Sequence, residues 1–248
     1  MIPHDALKLD RIAARLEGLE ETIIYKLIDR AQFAANPIIY EPGKSGFEGS
    51  GNLSLFDLRL RRQEEMDSDF GRFCVPEERP FNRDLPEPKR KVVLPVTGLE
   101  IDDFDAVNVT ADILKAYTKL LKDVCLAGND GHYGSSTEHD VYALQAIARR
   151  VHYGALYVSE SKYRSDPQSY DKLIATRDVD SLMQKLTRAE VEEKILARIA
   201  KKVDHIQSGI NSDTRRSVPP DAIMAFYRNH VIPLTKEGEI RYFLNRRR

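Results

Sequence analysis

The sequence predicts an all-α protein, and three observations support this prediction. Apolar residues recur at steps of three and four over most of the chain, as they do along one face of an α-helix. Alternating apolar and polar residues, the pattern of a half-buried strand, are nearly absent. Clusters of proline and glycine separate the periodic segments. Because we find no internal repeat and no linker, we expect residues 1–248 to form one helical domain.

The first half of the chain predicts three helices and one long irregular segment. Apolar residues repeat at helical spacing over residues 8–35, and a stretch rich in proline and glycine then ends this helix. Residues 53–70 have the charged amphipathic pattern of a second helix. Residues 71–108 hold five of the twelve prolines and no clear period, which indicates a long ordered loop of the kind that is usually functional. Residues 109–126 predict a third helix, which ends near Gly128.

The second half of the chain predicts five further helical segments. The first is preceded by the turn-rich stretch AGNDGHYGSS, and the last follows the loop QSGINSDTRRSVPP. In chain order, the segments cover residues 137–163, 167–176, 178–187, 189–206 and 220–247.

Composition and charge disfavour several classes of protein. A net charge of −1 gives no overall attraction to nucleic acid or anionic membranes, so neither partner is predicted. No apolar run approaches the length of a membrane span, and the N-terminal residues lack the core of a signal peptide. Cys74 and Cys125 are too few for a disulfide framework. We therefore expect a cytoplasmic protein, although a secreted protein without its leader would have the same composition.

The common cofactor and nucleophile motifs are absent from the sequence. Gly43-Lys44-Ser45 matches the end of a P-loop, but the required first glycine is Ile38, so a surface loop is favoured over a nucleotide site. The six histidines lack metal-site spacing and are predicted to be solvated or to lie in the core. No Gly-x-Ser-x-Gly nucleophile elbow occurs. We therefore predict neither a metal nor a cofactor.

Six blocks of the sequence, which together span nearly the whole chain, match the motifs of one enzyme family in the same order. They are EETIIYKLIDRAQFA (20–34), RFCVPEERPF (72–81), YGSSTEHDVYALQAIARRVHYG (133–154), YVSESKY (157–163), VEEKILARIAKK (191–202) and VIPLTKEGEIRYFLNRR (231–247). The chain thereby resembles the all-helical, eukaryotic-type chorismate mutases of yeast and plants, whose last three blocks read FVAEAKF, VEEKILERLTKK and VIPxTKEVEVEYLLRR. The number and order of the blocks make the resemblance specific.

This resemblance implies a homodimeric, cofactor-free isomerase that rearranges chorismate to prephenate, the step committed to phenylalanine and tyrosine. Chorismate is a dicarboxylate with an ether bridge, and its pericyclic rearrangement needs a compact conformer and hydrogen-bond donors at the ether oxygen. By resemblance, Arg150 binds a carboxylate, and Lys162 serves both the ether oxygen and a carboxylate. A protonated Glu239 donates to the ether oxygen and therefore needs a raised pKa. Glu192 binds the substrate hydroxyl, and Thr235 lines the site.

The resemblance also implies an effector site at the dimer interface, where tyrosine and tryptophan bind the fungal and plant enzymes. Arg72, Gly134 and Ser135 match residues of that site, and Pro219 occupies the fungal position that switches the response. A simpler interpretation is that Gly134 and Ser135 only begin a helix, with Ser135 as its N-cap.

One departure from the family's pattern concerns the first helix. Ala13 stands where a family arginine reaches a substrate carboxylate. Arg11 and Arg15 lie two residues to either side, roughly 200° around the helix. Either could replace the missing arginine only if the helix shifts.

Two other departures lie near the predicted catalytic residues. Twelve residues, instead of the family's eleven, separate Arg150 from Lys162, so these side chains converge only if a π-bulge near Gly154-Ala155-Leu156 absorbs the extra residue. Gly238 replaces a family valine and is expected to loosen the helical turn before Glu239, at a cost of about 0.5–1 kcal/mol. The departures leave a second function open, a catalytically impaired or repurposed interaction protein on this scaffold, including a secreted one.

Overall fold

A computed structural model describes residues 7–247, and the regular secondary structure of these residues is helical apart from two isolated β-bridges. The α-helices are α1 (Leu9–Arg30), α2 (Leu55–Asp69), α3 (Thr110–Val124), α4 (Tyr133–Tyr153), α5 (Ser159–Ser165), α6 (Pro167–Thr176), α7 (Val179–Leu186), α8 (Ala189–Ser208), α9 (Pro220–Phe226) and α10 (Ile232–Asn245). The predicted all-α class is confirmed. Among the described helices, none is long and apolar enough to cross a membrane. His4, one of the six histidines considered above, lies outside the described residues.

Two of the helix boundaries differ from the sequence prediction by more than two residues. The first helix ends at Arg30 and not near residue 35, because the Arg30 guanidinium donates to the carbonyl oxygens of Ala34 (2.9 Å) and Ala35 (3.2 Å) and turns the chain. α4 begins at Tyr133, four residues before the predicted start at 137. The N-cap residue of α4 is His132, without a side-chain cap, so the interpretation of Ser135 as the cap is wrong.

The predicted loop over residues 71–108 is ordered and covers part of the helical core. It contains only two short 3-10 helices, Arg72–Cys74 and Phe104–Val107. The buried carboxylate of Glu64 on α2 holds the loop by accepting hydrogen bonds from the backbone N–H groups of Phe81 (2.7 Å) and Asn82 (2.8 Å). A buried carboxylate needs hydrogen-bond donors at fixed positions. Because this loop supplies them, its path over the helices is defined.

Apolar side chains form two clusters, and α10 contributes to both. The larger cluster joins α1, α3, α4, α8 and α9 and includes Ile232 at the start of α10. The smaller cluster includes Ile240 and Phe243 near the end of α10, packed with the end of the 71–108 loop and with α7. The position of α10 is thus fixed at both of its ends by apolar packing.

A buried ionic cluster joins α1, α3 and α4 within the larger apolar cluster. Arg30 on α1 donates through Nε to Asp140 Oδ1 on α4 at 2.5 Å, and both side chains are fully buried. The hydroxyl groups of Tyr117 (2.6 Å) and Tyr40 (2.5 Å) also donate to the Asp140 carboxylate. A buried ion pair adds little net stability when complete, but removing one partner leaves an uncompensated charge.

Replacing Arg30 with methionine should therefore lower the free energy of unfolding by about 3–5 kcal/mol, because Asp140 would remain buried without its cation. The matched control is Arg215→Met, which removes an exposed ion pair between Arg215 and Asp29 (2.7 Å) and should cost at most about 1 kcal/mol. Urea unfolding of both variants measures the difference. Similar losses in the two variants would contradict the special role given to the buried cluster.

Candidate active site

A cavity of about 270 Å³ opens among α1, α4, α5, α8 and α10, and all five predicted catalytic residues line it. α1 contributes an apolar wall, and the charged side chains project from the other helices. The five residues that the structure brings together are Arg150, Lys162, Glu192, Thr235 and Glu239.

Arg150 lies almost fully buried at the floor of this cavity and is held in place by its neighbours. Its Nη1 donates to Thr235 Oγ1 at 2.8 Å, and the Thr235 hydroxyl donates in turn to the Val231 carbonyl oxygen at 2.7 Å. Glu20 Oε1 lies 3.8 Å from Nη2, and the buried Nε has no hydrogen-bond partner among residues 7–247. The guanidinium is therefore oriented before a ligand binds and keeps donor capacity for one.

Lys162 and Glu239 meet in the same cavity. Lys162 Nζ donates to Glu239 Oε2 at 2.7 Å, and the Glu239 side chain is buried. Burial raises the pKa of Glu239, and the opposing positive charge of Lys162 does not cancel this effect. In its protonated form, Glu239 is a hydrogen-bond donor beside a second donor, so the pair can stabilise negative charge that develops on one oxygen atom.

Glu192 lies in the first turn of α8, where the helix dipole favours a negative charge. Lys236 on α10 donates to Glu192 Oε1 at 2.9 Å and to the Thr187 hydroxyl at 3.2 Å. Glu192 is only partly buried, and its second carboxylate oxygen can accept a hydrogen bond from a hydroxyl group of a ligand.

The extra residue between Arg150 and Lys162 is absorbed by a π-helical turn at Gly154–Val158, called the π-turn below. The predicted π-bulge is therefore present at the predicted place. A single π-turn adds one residue to a helix without breaking it. The two side chains consequently line the same cavity, which an uninterrupted α-helix with this spacing would not allow.

Two glycines allow the π-turn to lie directly against α10. A Cβ atom on Gly154 would lie 2.7 Å from Thr235 Cγ2, and a Cβ atom on Gly238 would lie 2.6 Å from Ala155 Cβ. Both distances are far below carbon–carbon contact distance. The expectation that Gly238 loosens its turn is therefore incomplete, because the missing side chain provides the space that the π-turn occupies. The two departures therefore belong together, because the glycine at 238 makes room for the turn that the extra residue creates.

The arginine that Ala13 replaces is not restored from α1. Ala13 lines the cavity, whereas Arg11 and Arg15 are exposed and do not line it. Two other arginines that the sequence interpretation missed do line it, Arg188 before α8 and Arg198 within α8. Arg188 is the extended N-cap residue of α8, and its position four residues before Glu192 in the sequence was the available signal.

The three predicted effector residues are not brought together within one chain. Arg72 contacts Asp67 (3.0 Å), Glu78 (2.9 Å) and Gln145 (2.6 Å), the last of these on α4. Ser135 precedes Gln145 by ten residues, which is roughly 15 Å along the helix axis. Gly134 and Ser135 therefore lie at one end of α4, and Arg72 contacts its middle.

The structure also bears on the two other site types considered from the sequence. Gly43 occupies a turn with a φ of 71°, and no helix follows Ser45, so the P-loop hypothesis is wrong. Across the described part of the chain, no group of three or more histidine, cysteine or acidic side chains has an arrangement that could hold a metal ion.

Comparison with known proteins finds relatives that match nearly the whole chain. No protein-family model matches the chain. The chorismate mutase of Trichoderma parareesei is 36% identical over an alignment that covers 97% of this chain and 94% of that protein. The chorismate mutase of Schizosaccharomyces pombe is 34% identical and covers 98% of both. The chain belongs to the chorismate mutase family.

Solved structures agree with this membership. The Candida albicans chorismate mutase in complex with L-Trp superposes with a TM-score of 0.90 at 34% identity, over 99% of this chain and 94% of that chain. AtCM1 with phenylalanine bound in its allosteric site gives a TM-score of 0.84 at 30% identity, over 98% of both chains. The maize relatives named chloroplastic and cytosolic are 34% and 32% identical, each over 98% of this chain.

The contact between Gly238 and Ala155 can be tested by whether an added methyl group at residue 238 lowers or raises the free energy of unfolding. Gly238→Ala should destabilise the protein by about 1–2 kcal/mol, because overpacking costs about 1–3 kcal/mol and exceeds the gain of about 0.5–1 kcal/mol from helix propensity. In an Ala155→Gly background, the same substitution should become stabilising, since the two methyl groups no longer clash. Thermal and urea unfolding of the four proteins measures both effects.

The control for this cycle is Gly18→Ala on α1, an exposed helical glycine with nothing within 4 Å of its added Cβ. It should stabilise by about 0.5–1 kcal/mol in either background. A stabilising Gly238→Ala in the unaltered chain would show that α10 does not depend on this glycine.

Proposed function

We propose that this protein catalyses the rearrangement of chorismate to prephenate in the cavity described above. The observation that carries the proposal is the convergence of Arg150, Lys162 and Glu239, from three different helices, on one cavity in a member of this family. These residue types match the charges of the substrate and of its transition state. We also propose that residues 1–248 act as one domain, because α10 packs in both apolar clusters.

The reaction is intramolecular, so the protein supplies orientation and charge and no reacting atom. The ether bond between the oxygen and the ring carbon breaks while a carbon–carbon bond forms between the methylene carbon of the enolpyruvyl group and the ring carbon that carries the carboxylate, and no group leaves. The Arg150 guanidinium binds one carboxylate and holds the conformer in which the reacting carbons are close. Lys162 and protonated Glu239 donate to the ether oxygen, where negative charge develops as its bond to carbon breaks.

Glu192 and Thr235 have supporting roles in this proposal. The free oxygen of the Glu192 carboxylate accepts a hydrogen bond from the substrate hydroxyl, with Lys236 fixing the other oxygen at 2.9 Å. Thr235 holds Arg150 through the 2.8 Å hydrogen bond and packs against Gly154, so it sets the distance between α10 and the π-turn.

The alternative function, a repurposed interaction protein, was suggested by three departures from the family's pattern. Two of the three no longer favour it. The extra residue is absorbed by the π-turn, and Gly238 accommodates that turn. The remaining departure is Ala13, and the cavity holds other cations that can replace the missing arginine.

We further propose that two copies of the chain form the effector site for an aromatic amino acid. In a single copy, Ser135 lies roughly 15 Å along α4 from Gln145, the residue of that helix that Arg72 contacts. A second copy can place its Arg72 near the first copy's Gly134 and Ser135, which a homodimer allows. The cytoplasmic location stays a prediction, because relatives named cytosolic and chloroplastic match the chain to a similar degree.

Arg150→Ala should lower kcat/KM for chorismate by about 100-fold or more, because charge-assisted hydrogen bonds contribute about 1.5–3 kcal/mol each. The matched control is Arg149→Ala, since Arg149 pairs with Glu78 at 3.1 Å outside the cavity and should keep activity within about threefold. Loss of chorismate absorbance over time measures both. Equal activity of Arg150→Ala and the unaltered protein would contradict the clamp, and no turnover by the folded, unaltered protein would contradict the proposed reaction.

The pH profile tests the protonated Glu239. Because the active form carries the proton, kcat/KM should fall as the pH rises through the raised pKa of Glu239. The positive charges of Lys162, Arg150 and Lys236 oppose that shift but do not cancel it. Glu239→Gln keeps a donor that does not titrate and should remove the alkaline fall. A profile with the same fall in this variant would exclude Glu239 as the titrating donor.

A further inference from the structure

We propose that Arg188 binds the second carboxylate of the substrate and thereby takes the place of the arginine that α1 lacks. The inference rests on the proposed function, because it assigns a role to a residue at the same cavity. A dicarboxylate ligand needs two cationic contacts, and Arg150 supplies one of them.

The α1 helix offers no cation to the cavity. Its lining residues, Leu9, Ile12, Ala13 and Leu16, are all apolar. An unpaired carboxylate against this wall would lose its hydration without compensation. The second carboxylate therefore has to be recognised from another element.

Most other cations of the cavity are already engaged. Lys162 donates to Glu239 at 2.7 Å and, together with that glutamate, is assigned to the ether oxygen, whereas Lys236 donates to Glu192 at 2.9 Å. Arg198 makes two hydrogen bonds to Glu20 in α1, at 2.7 and 3.0 Å.

Arg188 differs from these cations because its side chain is not engaged by another residue of the described chain. Its side chain makes no hydrogen bond or ion pair with the described residues, although it lines the cavity. Its backbone is nevertheless fixed, because its carbonyl oxygen accepts from the N–H groups of Val191 and Glu192, both at 3.0 Å. A positioned backbone with an uncommitted guanidinium at a cavity rim suits capture of a ligand carboxylate.

Exposure of Arg188 determines what it contributes. A rim cation is screened by solvent and binds the substrate equally before and during the reaction. Its removal should therefore raise KM more than it lowers kcat. Its long-range attraction should also make KM depend on salt.

The experiment compares Arg188→Ala with Lys194→Ala, which removes an exposed positive charge six residues further along the chain, within α8 and outside the cavity. Arg188→Ala should raise KM for chorismate about tenfold, change kcat by less than about threefold and weaken the salt dependence of KM. Lys194→Ala should leave KM within about twofold. An unchanged KM in Arg188→Ala, or equal effects of the two substitutions, overturns the proposal.

A rescue variant tests the replacement itself. Ala13→Arg in the Arg188→Ala background restores an arginine to the α1 wall. It should lower the raised KM most of the way to the value of the unaltered protein. No recovery in the folded double variant overturns the assignment of Arg188 to the same carboxylate.

Failure of this inference can be separated from failure of the proposed function. Calorimetric binding of prephenate, which carries both carboxylates, reports recognition without turnover. An unaltered protein that neither binds prephenate nor consumes chorismate contradicts the proposed function. An unaltered protein that does both, with Arg188→Ala indistinguishable from it, contradicts only the role of Arg188.

Discussion

The close contact between the π-turn and α10 is the constraint on which the active site depends. Arg150 and Lys162 lie on the two sides of the π-turn, and Thr235 and Glu239 lie on the facing helix. Gly154 and the glycine before Glu239 each allow the opposite helix to approach to within one missing methyl group. Because these contacts set the separation of the two helices, they also set the distances among the four side chains. Precision of this kind is what a reaction without a covalent enzyme intermediate requires, because orientation and charge are all that the protein supplies.

Most of the fold could be predicted from the sequence because helical periodicity is a local property. The two boundary errors arose where a side chain acts over a longer range, as Arg30 does when it binds the carbonyl oxygens beyond its own helix. The grouping of the catalytic residues followed from the family resemblance, and the π-turn from counting residues between Arg150 and Lys162. The contact of Gly238 with Ala155 could not be predicted, because it depends on how closely two helices approach and not on either helix alone.

The lysines of the cavity are paired with carboxylates before the dianionic substrate binds, so no buried lysine has to wait unpaired for it. Lys162 and Lys236 each hold a glutamate at hydrogen-bond distance while the cavity is empty. Protonation of Glu239 releases Lys162 toward the substrate, so substrate binding and proton uptake should accompany each other. Such exchange avoids the cost of desolvating an unpaired ion in either state.

The compensation between the extra residue and Gly238 also constrains the mutational history of this chain. In a relative with valine at position 238, an inserted residue would force Ala155 against a branched side chain, where even a single methyl group lies 2.6 Å away. A glycine introduced first costs about 0.5–1 kcal/mol in helix propensity relative to alanine, and it also loses the buried contacts of the valine side chain. We therefore expect the glycine to have preceded the insertion, because the opposite order passes through a chain in which the two helices clash. Reversal is blocked in the same way, since restoring valine requires that the inserted residue be lost first.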